Sequence, residues 1–354
     1  MGLLRLILAF SVIFGHTIAN DHFFFHPFFF INASAAVVCF FTVSGFYMAY
    51  VINEKYKFVG GWRKKFLFNR CLRMYPAYYL FLALYLVFQI YVGTPNFLTG
   101  FAGLSASYRA LIAFLNFSVV GQDVYAMFLE RRNIDPMLAI PIAQAWSIAV
   151  ELELYAAAAL LFASRFGLFA SLGIGIVLRL LMQSLGLIVF PIGGMLVFNV
   201  FLFFALGGCG YILYKRIENW PVALRGVIAG ALVTIFIFYS WRYNGFWKLE
   251  ARGNDYRLTL LYFGVALATP FIFSLSRKSK LDNFLGNLSY PVYLCHILVF
   301  DVVSHLGPYA KIKYLPTALI LALSYAAYKY VEEPVQGIRK RVAQPMGKMV
   351  KMKK

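Results

Sequence analysis

Residues 32–52 read NASAAVVCFFTVSGFYMAYVI, a stretch without a single charged side chain. A helix needs about 20 mostly apolar residues to cross the hydrocarbon of a bilayer, so this stretch predicts a membrane span. Further runs of the same character lie at 3–19, 74–94, 143–164, 167–189, 194–214, 222–241, 257–275, 284–304 and 314–332. The expected fold is all-α: a polytopic membrane protein of about ten transmembrane helices. Composition agrees, because 62% of the 354 residues are hydrophobic and only 13% charged, with a mean hydropathy of +0.73, far from the usage of a soluble domain. No repeat, low-complexity tract or soluble domain is visible. The expected organisation is one membrane domain over 1–335 followed by a basic cytoplasmic tail over 336–354.

Lysine and arginine outnumber aspartate and glutamate by 33 to 14, and their positions decide what that excess means. They cluster at Lys55, Lys57, Arg63, Lys64, Lys65, Arg70 and Arg73, at Lys215, Arg216 and Arg225, at Arg277, Lys278 and Lys280, and from Arg339 to Lys354. Each cluster abuts an apolar run, which is the positive-inside pattern and not a nucleic-acid face. With ten spans, both termini then lie in the cytoplasm. The opposite side receives Asp21 to Pro27, the long segment 95–142, Arg242 to Arg257, and Ser304 to Lys313. Within the longest of these loops, Tyr108 to Phe117 is apolar but too short to span, and is expected at the interface or folded back toward the bundle. The first run superficially resembles a secretory signal, but its n-region holds one basic residue and the run carries Arg5 and His16, so it is read as a retained helix. Cys39, Cys71, Cys209 and Cys295 show no C-x-x-C spacing, signal neither disulfides nor zinc, and read as packing residues. His22, His26 and His305 belong to the outer boundaries, and no pair has the spacing of a metal motif.

Several ionisable residues interrupt the apolar runs, where they are expensive and usually face an interior cavity. Arg5 and His16 stand eleven residues apart, about 20 degrees from a whole number of turns and about 16 Å in rise. They share one helix face; the plain alternative is an interfacial Arg5 and a packing His16. Arg70 and Arg73 are neighbours on a helix, and their guanidinium forks suit phosphate oxygens, although any cytoplasmic loop needs positive charge. In Ala-Trp-Ser-Ile-Ala-Val-Glu-Leu-Glu-Leu-Tyr (145–155), Glu151 and Glu153 point about 200 degrees apart, so at most one shares a given cavity. His296 closes the run Leu-Gly-Asn-Leu-Ser-Tyr-Pro-Val-Tyr-Leu-Cys-His (285–296), and Val-Glu-Glu-Pro (331–334) leads into the tail, where its carboxylates can simply pair with neighbours.

Taken in order, these segments resemble the membrane-bound acyltransferase family 3, and the resemblance covers nearly the whole chain. It rests on Arg5 and His16, on Phe-Phe-x-x-Ser-Gly-Phe (40–46), on Arg-x-x-Arg-x-Tyr-Pro (70–76), on Trp-Ser-x-x-Val-Glu (146–151), and on Ser-Tyr-x-x-Tyr-Leu-x-His (289–296). Leu152 stands where many relatives have a second carboxylate, and Leu72 where some have a further arginine. The resemblance implies a ten-helix bacterial inner-membrane enzyme that moves an acyl group, acetyl by default, from cytoplasmic acyl-CoA to a hydroxyl of a cell-surface glycan or lipid-linked sugar. No tightly bound cofactor and no metal is expected. Partners would be acyl-CoA, the acceptor, membrane lipids and polysaccharide assembly machinery.

On that basis Arg5, Arg70 and Arg73 are expected to hold the CoA phosphates, with His16 as general base, since imidazole titrates near neutral pH. An acyl-histidine intermediate is the competing chemistry. Glu151 is expected to orient His16 or raise its basicity, while Ser44, Trp146, Tyr290, Tyr293 and His296 are expected to line the site. Two other classes fit less of the chain: a sugar or lipid-carrier flippase using Arg5, His16 and Glu151 as a proton relay, for which no matching halves are visible, and a structural subunit of an export complex, which leaves the intramembrane charges unexplained.

Overall fold

The computed structural model describes residues 1–17, 31–93, 102, 104–131, 140–187, 196–242, 256–312 and 314–342. All regular structure among them is helical. Thirteen α-helices are numbered in chain order: α1 Gly2–Thr17, α2 Ala33–Val51, α3 Trp62–Val92, α4 Ala106–Ser118, α5 Gln122–Arg131, α6 Trp146–Leu161, α7 Arg165–Ser184, α8 Val197–Ile217, α9 Val222–Arg242, α10 Tyr256–Ser276, α11 Lys280–Ser304, α12 Leu315–Ala327 and α13 Glu333–Val342. His22, His26, the segments 243–255 and 132–139, and the tail from residue 343 lie outside the described residues.

Among the described residues seven helices are long and apolar enough to cross a membrane: Ala33–Tyr56, Trp62–Val92, Arg165–Ser184, Val197–Ile217, Val222–Tyr239, Tyr256–Ser276 and Lys280–Ser304. Among the described residues the other three expected spans are shorter as α-helices. α1 has 16 residues. In 143–164, Ala143–Ala145 is a 3-10 turn, which leaves α6 only 16 residues. In 314–332, α12 gives way after 13 residues to a π turn over Tyr328–Glu332.

α2 is the central post, packed against α1, α6, α8 and α10. Its Gly45 is required by the α8 crossing: a Cβ there would sit 1.9 Å from the Phe204 carbonyl oxygen, and one on Gly207 would sit 1.8 Å from that of Thr42. Backbones this close exclude any side chain, and the approach turns neighbouring Ser44 toward the interior. Gly45→Ala is therefore expected to destabilise the fold by about 1–3 kcal/mol, seen as a lower melting temperature in detergent; an unchanged melt would contradict this tight crossing. α1 lies along α11, where Gly2 packs so closely that a Cβ would meet the Asp282 carbonyl. Asp282 also accepts from the Leu3 N–H at 3.0 Å.

Of the two placements expected for the apolar stretch 108–117, at the interface or folded back toward the bundle, the structure ties it to α3. α4 and α5 form a hairpin whose turn uses positive φ at Val119 and Gly121. Hydroxyls of Tyr75, Tyr78 and Tyr79 on α3 donate to the carbonyls of Ser118, Asn116 and Phe117 at 2.5, 2.8 and 2.6 Å. They satisfy carbonyls that a helix C-terminus otherwise leaves bare, and they hold the hairpin tip about halfway along α3. Among the described residues the cysteines are free, Cys39 and Cys295 being buried.

Candidate active site

Between α2, α3, α6, α11 and α13 lies a cavity of about 340 Å³. It follows α2 from Lys55 to Val37, about 27 Å at the helical rise per residue. Arg5, Ser44, Arg70, Arg73, Glu151, Tyr290 and Tyr293 all line it, so helices remote in sequence deliver seven of the expected site residues to one space. Arg5, Lys55, Arg70, Arg73, Arg339 and Lys340 face it against the single carboxylate of Glu151.

The basic end is built on a pair of π turns, a local irregularity often found at functional sites. One, over Ile52–Tyr56, ends α2 and presents Lys55 and Tyr56. Asn53 fixes it by donating to the Phe162 carbonyl at 2.7 Å. The other, over Tyr328–Glu332, aims Glu332 at Arg73 in a buried ion pair of 2.7 Å. Asn69 and Arg339 exchange hydrogen bonds: the Asn69 amide donates to the Arg339 carbonyl at 2.7 Å, and Arg339 Nε donates to Asn69 Oδ1 at 3.0 Å. Burial and the guanidinium groups of Arg73 and Arg70 push the pKa of Arg339 down, to about 9.

Arg70 stacks its guanidinium over Phe66 and Tyr155, and Arg73 over Tyr290. Three buried donors on the lining have no hydrogen-bonding partner among the described residues: Arg70 Nε, the second terminal nitrogen of Arg73, and Gln336 Nε2. Buried polar atoms are paired in the great majority of cases, and these three belong to residues that line one cavity, which suits a ligand rich in acceptor oxygens.

Higher along α2, the Glu151 carboxylate accepts from Ser44 Oγ at 3.3 Å and from the Tyr155 hydroxyl. Arg5 lies within electrostatic reach of Glu151 and Arg73. The Glu151 expected beside His16 is thus engaged elsewhere, and Glu153 lies within electrostatic reach of a different residue, Asp123 of α5.

His296 is the residue brought to His16, with ring centroids 5.2 Å apart. His16 Nδ1 lies 2.8 Å from the Val12 carbonyl, and His296 Nδ1 lies 2.6 Å from that of Tyr293. A carbonyl only accepts, so each Nδ1 carries a proton toward its carbonyl and each Nε2 points away from it. His16 is exposed, whereas His296 is fully buried and its Nε2 has no partner among the described residues. Neither ring lines the cavity. Tyr293 links the two regions: it lines the cavity, its ring lies 5.9 Å from that of His296, and its hydroxyl pairs with Ser147 Oγ at 2.8 Å. Trp146 is buried at the start of α6, outside the lining. His305 is exposed beyond α11, its Nδ1 2.8 Å from the Asp301 carbonyl.

Sequence reasoning missed Glu332, Asn69, Gln336, Arg339 and Lys340 as site residues. A carboxylate at the end of a span was a usable signal for Glu332; the other four read as ordinary polar residues of a basic, membrane-flanking region. Among the described residues no group of three or more His, Cys, Asp or Glu side chains is placed to share a metal ion. Comparison with protein families matches residues 1–328 to a family described as an acyltransferase domain. No curated protein and no solved structure gives a match.

Proposed function

Because the chain belongs to this acyltransferase family and is a multi-pass membrane protein, we propose that it transfers an acyl group from acyl-CoA to a hydroxyl of a surface glycan or lipid-linked sugar. Acetyl is the group proposed, the bacterial inner membrane the location, and no tightly bound cofactor is invoked. The single observation that carries the donor assignment is the cavity with six cations, one carboxylate and three unpartnered buried donors. Phosphates satisfy such donors through charge-assisted, often paired hydrogen bonds.

In this reading Arg70 and Arg73 bind donor phosphates, and the acyl thioester lies toward Tyr293. Arg5 sits between them, balanced by Glu151. The acceptor approaches from the side on which His16 is exposed. His16 Nε2 takes the proton of the acceptor hydroxyl as its oxygen attacks the thioester carbonyl carbon; the carbon–sulfur bond then breaks, and the proton returns to the departing CoA thiolate. The Val12 carbonyl, not a carboxylate, holds the base in the required tautomer. Ten helices with both termini in the cytoplasm complete the proposal, with α1, α6 and α12 as the short spans.

The test is the fate of the thioester in purified protein reconstituted into nanodiscs. Acetyl-CoA should be consumed, with acetate appearing on an added hydroxyl-bearing glycan or lipid-linked sugar. Retention of intact acetyl-CoA while the sugar carrier crosses a vesicle bilayer would overturn this reading in favour of a flippase.

A further inference from the structure

The cavity extends beyond the part of the chain that matches the family. That match ends at residue 328, yet α13 supplies Gln336, Arg339 and Lys340 to the lining. Two anchors hold α13 there: the buried Arg73–Glu332 pair just before it and the reciprocal bonds between Asn69 and Arg339. A helix serving only as positive charge beside a bilayer needs neither anchor. The expected boundary at 335 falls inside α13, whose lining residues Gln336, Arg339 and Lys340 all lie after it.

The cavity's cations fall into groups at different depths. Arg73 is buried and Arg70 half-buried, both on α3, one helical turn apart. Lys55 and Lys340 are exposed and Arg339 is half-buried, all three line the cavity, and Arg339 lies within electrostatic reach of both Lys55 and Arg70. A coenzyme A thioester carries its charges in the same way: a diphosphate partway along, and a ribose 3′-phosphate at the end remote from sulfur. With the thioester toward Tyr293, the diphosphate meets Arg70 and Arg73, and the 3′-phosphate meets the more exposed group.

We propose that Lys55, Arg339 and Lys340 form a subsite for the ribose 3′-phosphate of the donor, so that α13 selects a coenzyme A thioester over acyl donors carried on a bare phosphopantetheine arm. The subsite rests on the acyl-CoA reading given above. A phosphate monoester is the ligand such a set fits: it offers several acceptor oxygens and near-double negative charge to three cationic donors. The subsite also accounts for the two anchors, since phosphate recognition needs Arg339 held at a fixed depth.

The test compares acetyl-CoA with 3′-dephospho-acetyl-CoA as donors for the purified full-length protein in nanodiscs. Wild type should show a KM about tenfold lower for acetyl-CoA, the magnitude of one or two hydrogen bonds to a charged group. Lys340→Gln and Arg339→Gln should erase that preference by raising the acetyl-CoA KM toward that of the dephospho donor. Lys340 is exposed and takes no part in the Asn69 link, so its variant reads the subsite without disturbing the anchor. Equal KM values in wild type, or variants that weaken both donors alike, would overturn the subsite and leave the acyl-CoA donor standing. Failure of both donors to support transfer would overturn the donor reading and the subsite with it.

Discussion

Replacing His16 by alanine is expected to lower the turnover number by about 10²–10⁴, the usual contribution of a positioned general base, while donor affinity stays near wild type. The split follows from geometry. His16 touches the Val12 carbonyl and the His296 ring and does not line the cavity that would hold the donor. Losing its imidazole removes the lone pair that receives the hydroxyl proton and leaves every cavity cation in place. Acetyl-CoA binding by calorimetry beside single-turnover transfer separates the two effects. A variant that loses donor binding and keeps its turnover number at saturation would reverse the proposed roles.

Breaking the Arg73–Glu332 pair is expected to have the largest effect on stability. Both side chains are buried, with 9% and 4% of their surface exposed, so removing either partner strands a charge in the interior. Such single removals cost about 3–5 kcal/mol, whereas replacing both partners by apolar side chains is often neutral. Glu332→Met should therefore melt well below wild type in detergent. Arg73→Met combined with Glu332→Met should recover most of that loss. Activity should not recover with it, because Arg73 also has a buried terminal nitrogen free for a donor phosphate. A double variant that regains both stability and transfer would assign Arg73 a purely structural role.

Much of this arrangement was legible in the residues because the bilayer is a harsh filter. Charges inside apolar runs are costly, so Arg5 and Glu151 could be singled out; Arg70 and Arg73 followed from paired guanidinium forks beside a span, and all four line one cavity. The 200-degree separation of Glu151 and Glu153 also holds physical meaning, since one lines the cavity and the other lies within electrostatic reach of Asp123. What escaped was pairing between distant segments. Glu332 reads as a carboxylate beside lysines and arginines, and nothing local says that its partner is Arg73 on α3. Glu151 and His16 were natural partners by residue type, but the depth of α1 against α11 sets His16 beside His296 instead. The fold-back of α4 and α5 was foreshadowed by a short apolar run, although its attachment through three tyrosine hydroxyls depends on a register that only packing determines. Helix lengths failed where the backbone departs from α geometry, at the 3-10 turn before α6 and the π turn after α12.

Acyl transfer by His16 from a donor held by arginines is read out by label from radiolabelled acetyl-CoA. Membranes carrying wild type, His16→Ala or Arg5→Ala at matched protein levels would be supplied with the donor, and their glycan and lipid fractions counted. Label should appear in one fraction with wild type and be lost almost completely in both variants. Label that persists undiminished in His16→Ala would contradict transfer by His16.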